Sequence, residues 1–404
     1  MNRRIGIVGG GIIGVALAHR ITGMGMDVAV TVLEKERSLA LHQTGRNSGV
    51  VHAGLYYTPG SLKARLCRRG VELLQKFCAG HDLPYDECGK VVVALDDVEL
   101  ERLGAIHERA LANGVPGVRM VGREELAELE PHVRGVAALH SPHTAVVDFG
   151  EITRRLAADA AAAGAAIRTG VRVRGITQNG GGVAVDAGGE RLVFDELVIC
   201  GGLHTDRLAR LAGGDDDPRV VPFRGEYYEL VPSRRDLVNG LVYPVPDPRY
   251  PFLGVHLTKR VGGGVLVGPN AVLALAREGY RWRDLRLGDL AETLAWPGFR
   301  RMAARHWRTG AREVVGSLSR RAFCDAARRY VPDLNPEDLL RARSGVRAQA
   351  VARDGSLVDD FRISRQGRVV AIRNAPSPAA TSSMAIAEHI AAWLFEGDRG
   401  PAAR

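Results

Sequence analysis

The chain opens on a short apolar run, Ile5-Gly6-Ile7-Val8, bounded by glycine, and this predicts a buried strand. Apolar residues then continue through Ala18 to Ile21 and predict a helix, after which 28–33 predicts a second strand ending at Glu34. Leu62, Leu66, Leu74 and Phe77 share one helical face, so 62–78 reads as a helix opened by Pro59-Gly60-Ser61. A strand is expected at 90–95 and helices at 97–113 and 122–130. Beyond Asp148 the α/β texture resumes, with an alanine-rich helix at 152–163 and a strand at 166–176. Val183-Ala184-Val185 with Leu192-Val193-Phe194 predicts a hairpin, and 197–200 a buried strand running into Gly201-Gly202 and another helix. From Val220 the pattern turns to β at 221–231, 241–245, 252–257 and 265–267. A polar stretch rich in Arg and Trp, 283–330, reads as helical; 369–372 returns to strand, and a last helix runs to about Phe395.

This order predicts an α/β chain with a discontinuous Rossmann-like domain and an inserted, mostly antiparallel β domain. The nucleotide domain is expected at 1–88, 146–220 and 338–404, and the substrate domain at 89–145 and 221–337. Such an arrangement suits a flavoenzyme better than a simple dehydrogenase.

Gly9-Gly10-Gly11-Ile12-Ile13-Gly14 fits GxGxxG between the first strand and the first helix, with Glu34 twenty residues on. Gly9 permits the tight turn, Gly11 the approach of backbone to a pyrophosphate, and Gly14 the close packing of helix on strand. The helix N-terminus offers N–H groups and a positive dipole end to phosphates. A carboxylate at Glu34 accepts bonds from ribose hydroxyls and disfavours a 2′-phosphate, so NADP is not expected. NAD and FAD remain undivided at this point. Arg3, Arg4 and the apolar run to Ala18 also mimic a secretory signal, but strand, helix and acid at this spacing favour the nucleotide reading.

The 404 residues, 46% hydrophobic and 25% charged, exclude collagen, low-complexity disorder and a coiled coil. A net charge of +9 comes mainly from arginine, since lysine stands only at 35, 63, 76, 90 and 259. These charges are spread along the chain, so anionic small molecules are favoured over nucleic acid, with a membrane surface left open. Five cysteines, with no CxxC and no zinc-like Cys/His spacing, read as free thiols in a cytoplasmic protein without a metal.

Segments 42–67 (HQTGRNSGVVHAGLYYTPGSLKARLC), 141–149, 221–230, 243–258 (YPVPDPRYPFLGVHLT), 268–274, 344–349 (SGVRAQ) and 373–383 (RNAPSPAATSS) resemble the D-amino-acid-oxidase-like flavoproteins. Within them the chain is most similar to the L-2-hydroxyglutarate dehydrogenase/oxidase family. The resemblance implies bound FAD. It places Gly9, Gly11, Gly14, Glu34 and Lys35 on the ADP half, and Thr44, Arg46, Asn47, Ser48 and Gly49 along the pyrophosphate and flavin edge. Val173 falls at a backbone contact to adenine, Gly201-Gly202 at a variant second glycine motif, and Ala379, Thr381 and Ser382 at the flavin pyrimidine.

The implied reaction is oxidation of a 2-hydroxy acid, with L-2-hydroxyglutarate giving 2-oxoglutarate and electrons leaving to quinone or, second, to oxygen. A base must take the hydroxyl proton, and histidine suits that task. His52 stands in the flavin-loop segment and His256 in the β segment. His52 has a second reading, as a residue that holds the flavin. Arg347 falls where related oxidases grip the substrate carboxylate, and arginine's planar fork suits it. Lys259, Arg260 or Arg224 are candidates for a second carboxylate, and Tyr243 for a substrate hydrogen bond. Trp282, Trp296 and Trp307 read first as lid or surface, and more sharply as a membrane-facing patch for peripheral association. The alternative function is a glycine or amino-acid oxidase of the same fold, which releases an imine and peroxide.

Overall fold

The computed structural model describes residues 3–247 and 254–395. Its first sheet has six strands. In spatial order they are Ala166–Arg168, Val28–Leu33, Arg3–Val8, Glu196–Ile199, Val369–Asn374 and Arg362–Gln366. All neighbours run parallel except the last pair. The apolar start of the chain is therefore the middle of this sheet, with Ile5 and Ile7 fully buried. Helices Ile12–Thr22, Phe149–Ala162 and Ser383–Phe395 pack together against it through Leu17, Ile152 and Ile390. Chain order reverses beside the first strand, which is where open α/β sheets bind ligands.

The second sheet has eight strands, drawn from 90–141, 228–268 and 339–341. Every pairing is antiparallel except that of Lys90–Ala94 with Leu241–Pro244. A smaller antiparallel sheet, Val272–Leu273, Arg219–Gly225 and Gly345–Val351, lies between the two. None of the five cysteines forms a disulfide.

Several expected elements are divided or shifted, each for a local reason. The strand expected over 166–176 is two, Ala166–Arg168 and Val173–Asn179, which belong to different sheets. Between them Gly170 takes φ +73°, and Gly170 N and Val171 N donate to the carbonyls of Glu36 and Glu34. The run 221–231 divides likewise into Arg219–Gly225 and Tyr228–Leu230, because Glu226 N turns away to the Asn270 side chain. The helix expected from 152 begins at Phe149, capped by the Asp148 carboxylate on the N–H groups of Gly150 and Glu151. Of the strand expected at 252–257, residues 252 and 253 lie outside the described residues; the structure places His256–Lys259 in a strand. Trp296, read above as lid or surface, is instead core: it is 1% exposed and its indole donates to the Val351 carbonyl at 3.0 Å.

The glycine turn shows why no side chain is tolerated there. Gly9 sits at φ +120°, and a Cβ on Gly14 would lie 2.1 Å from the Gly9 carbonyl oxygen. Gly14→Ala is therefore expected to destabilise the protein by about 2 kcal/mol or more and to lower the flavin retained per chain. Thermal unfolding and the visible-to-ultraviolet absorbance ratio of purified protein check both effects.

Candidate active site

One cavity of about 740 Å³ runs from this glycine turn to the face of the eight-stranded sheet. Its volume is that of a site for a large small-molecule ligand. At one end stand Gly9, Gly11, Gly14 and Glu34. The first helix starts at the cavity with Gly11 at its N-cap, so its dipole end faces the cavity lining and no side chain of residue 11 stands in the way. Glu34 is 8% exposed, and its carboxylate accepts from Gly10 N at 2.6 Å and Glu36 N at 2.9 Å. These bonds fix it at the strand end, where a ribose is read.

The loop after Glu34 forms the middle of the wall. Thr44 Oγ1 accepts from Ile12 N at 3.1 Å and so completes the first helical turn. Asn47 Nδ2 donates to the carbonyls of Gln43 and Thr44, and its Oδ1 accepts from Gly49 N. Arg46 lies 4.0 Å over the Tyr280 ring and donates to the Leu41 carbonyl. Thr44, Arg46, Asn47 and Ser48 line the cavity, together with Val173, Gly201, Gly202, Ala379 and Thr381. Gly49 and Ser382 do not line it; they brace residues that do. Thr381 Oγ1 accepts from His52 N at 3.1 Å and joins the last helix to the flavin-loop segment.

Lys35 also lines this wall, within an ionic cluster. Its ammonium lies 2.6 Å from Glu278 Oε1 and 2.9 Å from His42 Nε2, and His204 Nε2 lies 2.9 Å from the same Glu278 oxygen. Burial opposes ionisation of Glu278, yet bonds from His204 and Lys35 outweigh it and hold the carboxyl well below its usual range. Glu36, His42 and Glu278 approach closely enough to ligate a metal, but the Lys35 ammonium already supplies the positive charge between them.

The far end gathers Tyr243 and His256 from the eight-stranded sheet, Arg347 from the three-stranded one, Tyr227 from the turn between strands Arg219–Gly225 and Tyr228–Leu230, and His52 from the flavin-loop segment. His256 is 6% exposed and packs against Tyr243, the rings tilted by 30° with centroids 4.0 Å apart. Its Nδ1 donates to the Gly254 carbonyl at 2.9 Å, which leaves the Nε2 lone pair to accept a proton. Burial pushes the His256 pKa down to about 3; the Gly254 bond opposes this, and the Lys90 charge adds to it. Burial and then Lys90 do the same to His52, also to about 3, and its Nε2 lies 3.1 Å from Ser377 Oγ. Both histidines are neutral at pH 7. Arg347 stands on strand Gly345–Val351, close enough to Tyr227, Tyr243 and His256 to act on their ionisation.

Lys259 is not part of this group. It is partly exposed, 4.0 Å from Asp86, and does not line the cavity. Arg224, 1% exposed, also lies off the cavity, bonded to Glu226 and stacked 4.3 Å over Trp282. Sequence reasoning missed Lys63, Lys90, Tyr227 and Gln43. Lys63 lines the cavity, and its ammonium is bonded to Asp359 at 2.8 Å. Gln43 Oε1 accepts from Ala348 N and so ties the loop to the Arg347 strand. The signal for Lys90 was present: a lysine, scarce in this chain, opens the apolar run Lys-Val-Val-Val-Ala.

A parallel sheet of this strand order, with a glycine turn at its switch point and a second sheet over the cavity, defines a dinucleotide-dependent oxidoreductase. The chain belongs to the FAD dependent oxidoreductase family, whose profile matches residues 4–393. It is 43% identical to L-2-hydroxyglutarate dehydrogenase of Indibacter alkaliphilus over 98% of this chain and 100% of that one. It is 42% identical to the human mitochondrial L-2-hydroxyglutarate dehydrogenase over 95% of this chain and 87% of that one. Among solved structures it resembles FAD-bound L-alpha-glycerophosphate oxidase of Mycoplasma pneumoniae (TM-score 0.78, 25% identity, 97% and 94% of the two chains). Glycine oxidase of Geobacillus kaustophilus shares the fold (TM-score 0.72, 20% identity, 99% and 96% covered). The cofactor is FAD. The site fits it: the cavity joins a glycine turn and a bonded carboxylate at one end to a desolvated, hydrogen-bonding chamber at the other.

The two histidines also set an acid limit on stability. Their folded pKa values lie below the unfolded value of about 6.5, so the unfolded chain binds more protons between pH 6.5 and 3. Stability should therefore fall as pH drops through that window. Thermal unfolding from pH 7.5 to 4.5 should show this loss, and His52→Gln or His256→Gln should flatten the slope.

Proposed function

We propose that the chain oxidises L-2-hydroxyglutarate to 2-oxoglutarate. The observation that carries this reading is the meeting of Arg347, Tyr243 and His256 at one end of the FAD cavity, in a chain similar over nearly its whole length to L-2-hydroxyglutarate dehydrogenases. When bound, FAD supplies the two-electron acceptor that takes the C2 hydrogen as hydride. The remaining work falls to side chains.

Arg347 grips the substrate C1 carboxylate through two parallel N–H bonds and so orients C2. The phenols of Tyr227 and Tyr243, whose pKa values burial raises, stay protonated and donate to the substrate oxygens. His256 Nε2 takes the hydroxyl proton as C2 is oxidised, while the Gly254 carbonyl holds the Nδ1 proton and stabilises the imidazolium that forms. A substrate carboxylate close by raises the basicity of a histidine otherwise held at about 3. His52, tied through its backbone to Thr381 and through Nε2 to Ser377, orients the flavin edge.

The electron acceptor we propose is a quinone met at a membrane surface. Support comes from helix Pro297–Leu318, where Trp307 is 63% and Val315 66% exposed beside the exposed Arg300, Arg301, Arg305 and Arg308. Exposed aromatic and basic side chains together suit an anionic lipid interface. Among the described residues no helix is long and apolar enough to cross a membrane, so contact would be peripheral. The alternative is an amino-acid oxidase, whose support is likeness of fold alone.

Anaerobic bleaching of the flavin by a panel of hydroxy and amino acids tests the reading. L-2-hydroxyglutarate should bleach it fastest, and bleaching by glycine or an amino acid instead would replace this assignment with the alternative. Arg347→Ala should raise KM at least about 10²-fold with flavin retained. His256→Ala should slow anaerobic reduction about 10²-fold or more. Sedimentation with anionic vesicles should carry the wild type down, and Trp307→Ser with Val315→Ser should leave it in solution.

A further inference from the structure

Lys90 is the feature of the site that the mechanism above leaves unused. It opens strand Lys90–Ala94, is 3% exposed, and has no carboxylate partner among the described residues. Its ammonium instead lies 3.7 Å from the centroid of the Tyr243 ring and 4.8 Å from that of Tyr56. Tyr243, His52 and His256 line the cavity, and the Lys90 charge acts on both histidines. A positive charge therefore stands directly behind the cavity wall, held by aromatic faces.

A buried ammonium with no counter-charge is costly to fold and uncommon. Of the other buried cations near the cavity, Lys63 is engaged with Asp359, Arg373 with Asp215, and Arg224, which lies off the cavity, with Glu226 through its Nε and with the Trp282 ring. Cation–π contacts offset only part of the lost hydration. An anionic ligand would supply the rest. In the proposed function Arg347 takes one carboxylate, so the charge left over matches a second.

We propose that Lys90 makes this site selective for dianionic over monoanionic 2-hydroxy acids, its ammonium standing behind Tyr243 as the counter-charge to the distal carboxylate. The proposal rests on the hydroxy-acid reading above and names the residue that reads the far end of the substrate. Lys90 acts through the Tyr243 wall as a positioning residue, and desolvation makes its field strong at this range.

The charge is also titratable, because burial pulls the Lys90 pKa down to about 7. Of the groups that face it, His52 and His256 are held neutral, Tyr56 and Tyr243 are held protonated, and Lys63 is paired with Asp359, which leaves the Arg347 guanidinium as the remaining cation. Loss of the ammonium above pH 7 therefore removes selectivity for the dianion and leaves turnover of the monoanion. Since kcat/KM reports the free enzyme, the change appears there.

The experiment uses the FAD-loaded enzyme with L-2-hydroxyglutarate and L-2-hydroxybutyrate, followed by anaerobic flavin bleaching from pH 6 to 9. In the wild type the ratio of the two kcat/KM values should fall about tenfold or more across pH 7. Lys90→Met should lower kcat/KM for the dianion about 30-fold, keep the monoanion within about threefold, and abolish the pH dependence of the ratio. Its melting temperature should equal or exceed that of the wild type, since an unpaired buried charge is removed. A parallel fall for both substrates, or a ratio flat with pH in the wild type, overturns the proposal. The wild-type pH series decides the matter even where the variant loses its flavin. Failure of the wild type to bleach with either hydroxy acid overturns the functional reading itself; bleaching with an unchanged ratio overturns only the role of Lys90.

Discussion

The approach of the first helix to the strand before it governs this molecule. The Gly9 carbonyl stands where a side chain on residue 14 would begin, so helix and strand are locked at van der Waals distance. That contact turns the start of the helix toward the cavity. Glu34 then reaches back to Gly10 N, and Thr44 to Ile12 N, so two further segments take their positions from the same turn. Through Gln43, the loop carrying Thr44 reaches the strand of Arg347. A backbone contact at one end of the cavity is in this way transmitted to the end where Arg347 stands.

The opposite end is governed by electrostatics under desolvation. Arg347, Lys63 and Lys90 gather around two histidines that burial keeps uncharged. Cations packed near neutral histidines give a chamber that attracts anions while the imidazoles stay unprotonated. Tyr243 has a part in both effects, because it packs against His256 and meets the Lys90 ammonium. The pairing of strands Lys90–Ala94 and Leu241–Pro244 makes this possible by setting Lys90 and Tyr243 on neighbouring strands.

The nucleotide half of the molecule was legible in the sequence because its signals are local. Gly9, Gly14 and Glu34 lie within one βαβ unit, and each residue type answers a steric or hydrogen-bonding need at a fixed spacing. The hairpin around Val185 and Leu192 was legible for the same reason. Breaks at Gly170 and Glu226 were not, since the bonds that turn the chain there go to Glu34, Glu36 and Asn270, far away in sequence. Lys259 and Lys90 illustrate the same limit. Both are lysines on strands of one sheet, yet one faces Asp86 and the other a pair of tyrosines. That difference is tertiary. Trp296 was misread because a tryptophan amid arginines resembles a surface, while its indole finds a partner 55 residues onward at Val351.

The bond between Thr381 and His52 spans 329 residues. It has a bearing on how the protein is made. Strand Val369–Asn374 must pair beside Glu196–Ile199, and Thr381 must reach the early loop, before the cavity has all of its lining. On a translating ribosome the glycine turn emerges more than 350 residues before strand Val369–Asn374 and Thr381. A nascent chain arrested before Val369 would therefore have the glycine turn without the part of the cavity wall that residues 372–381 contribute.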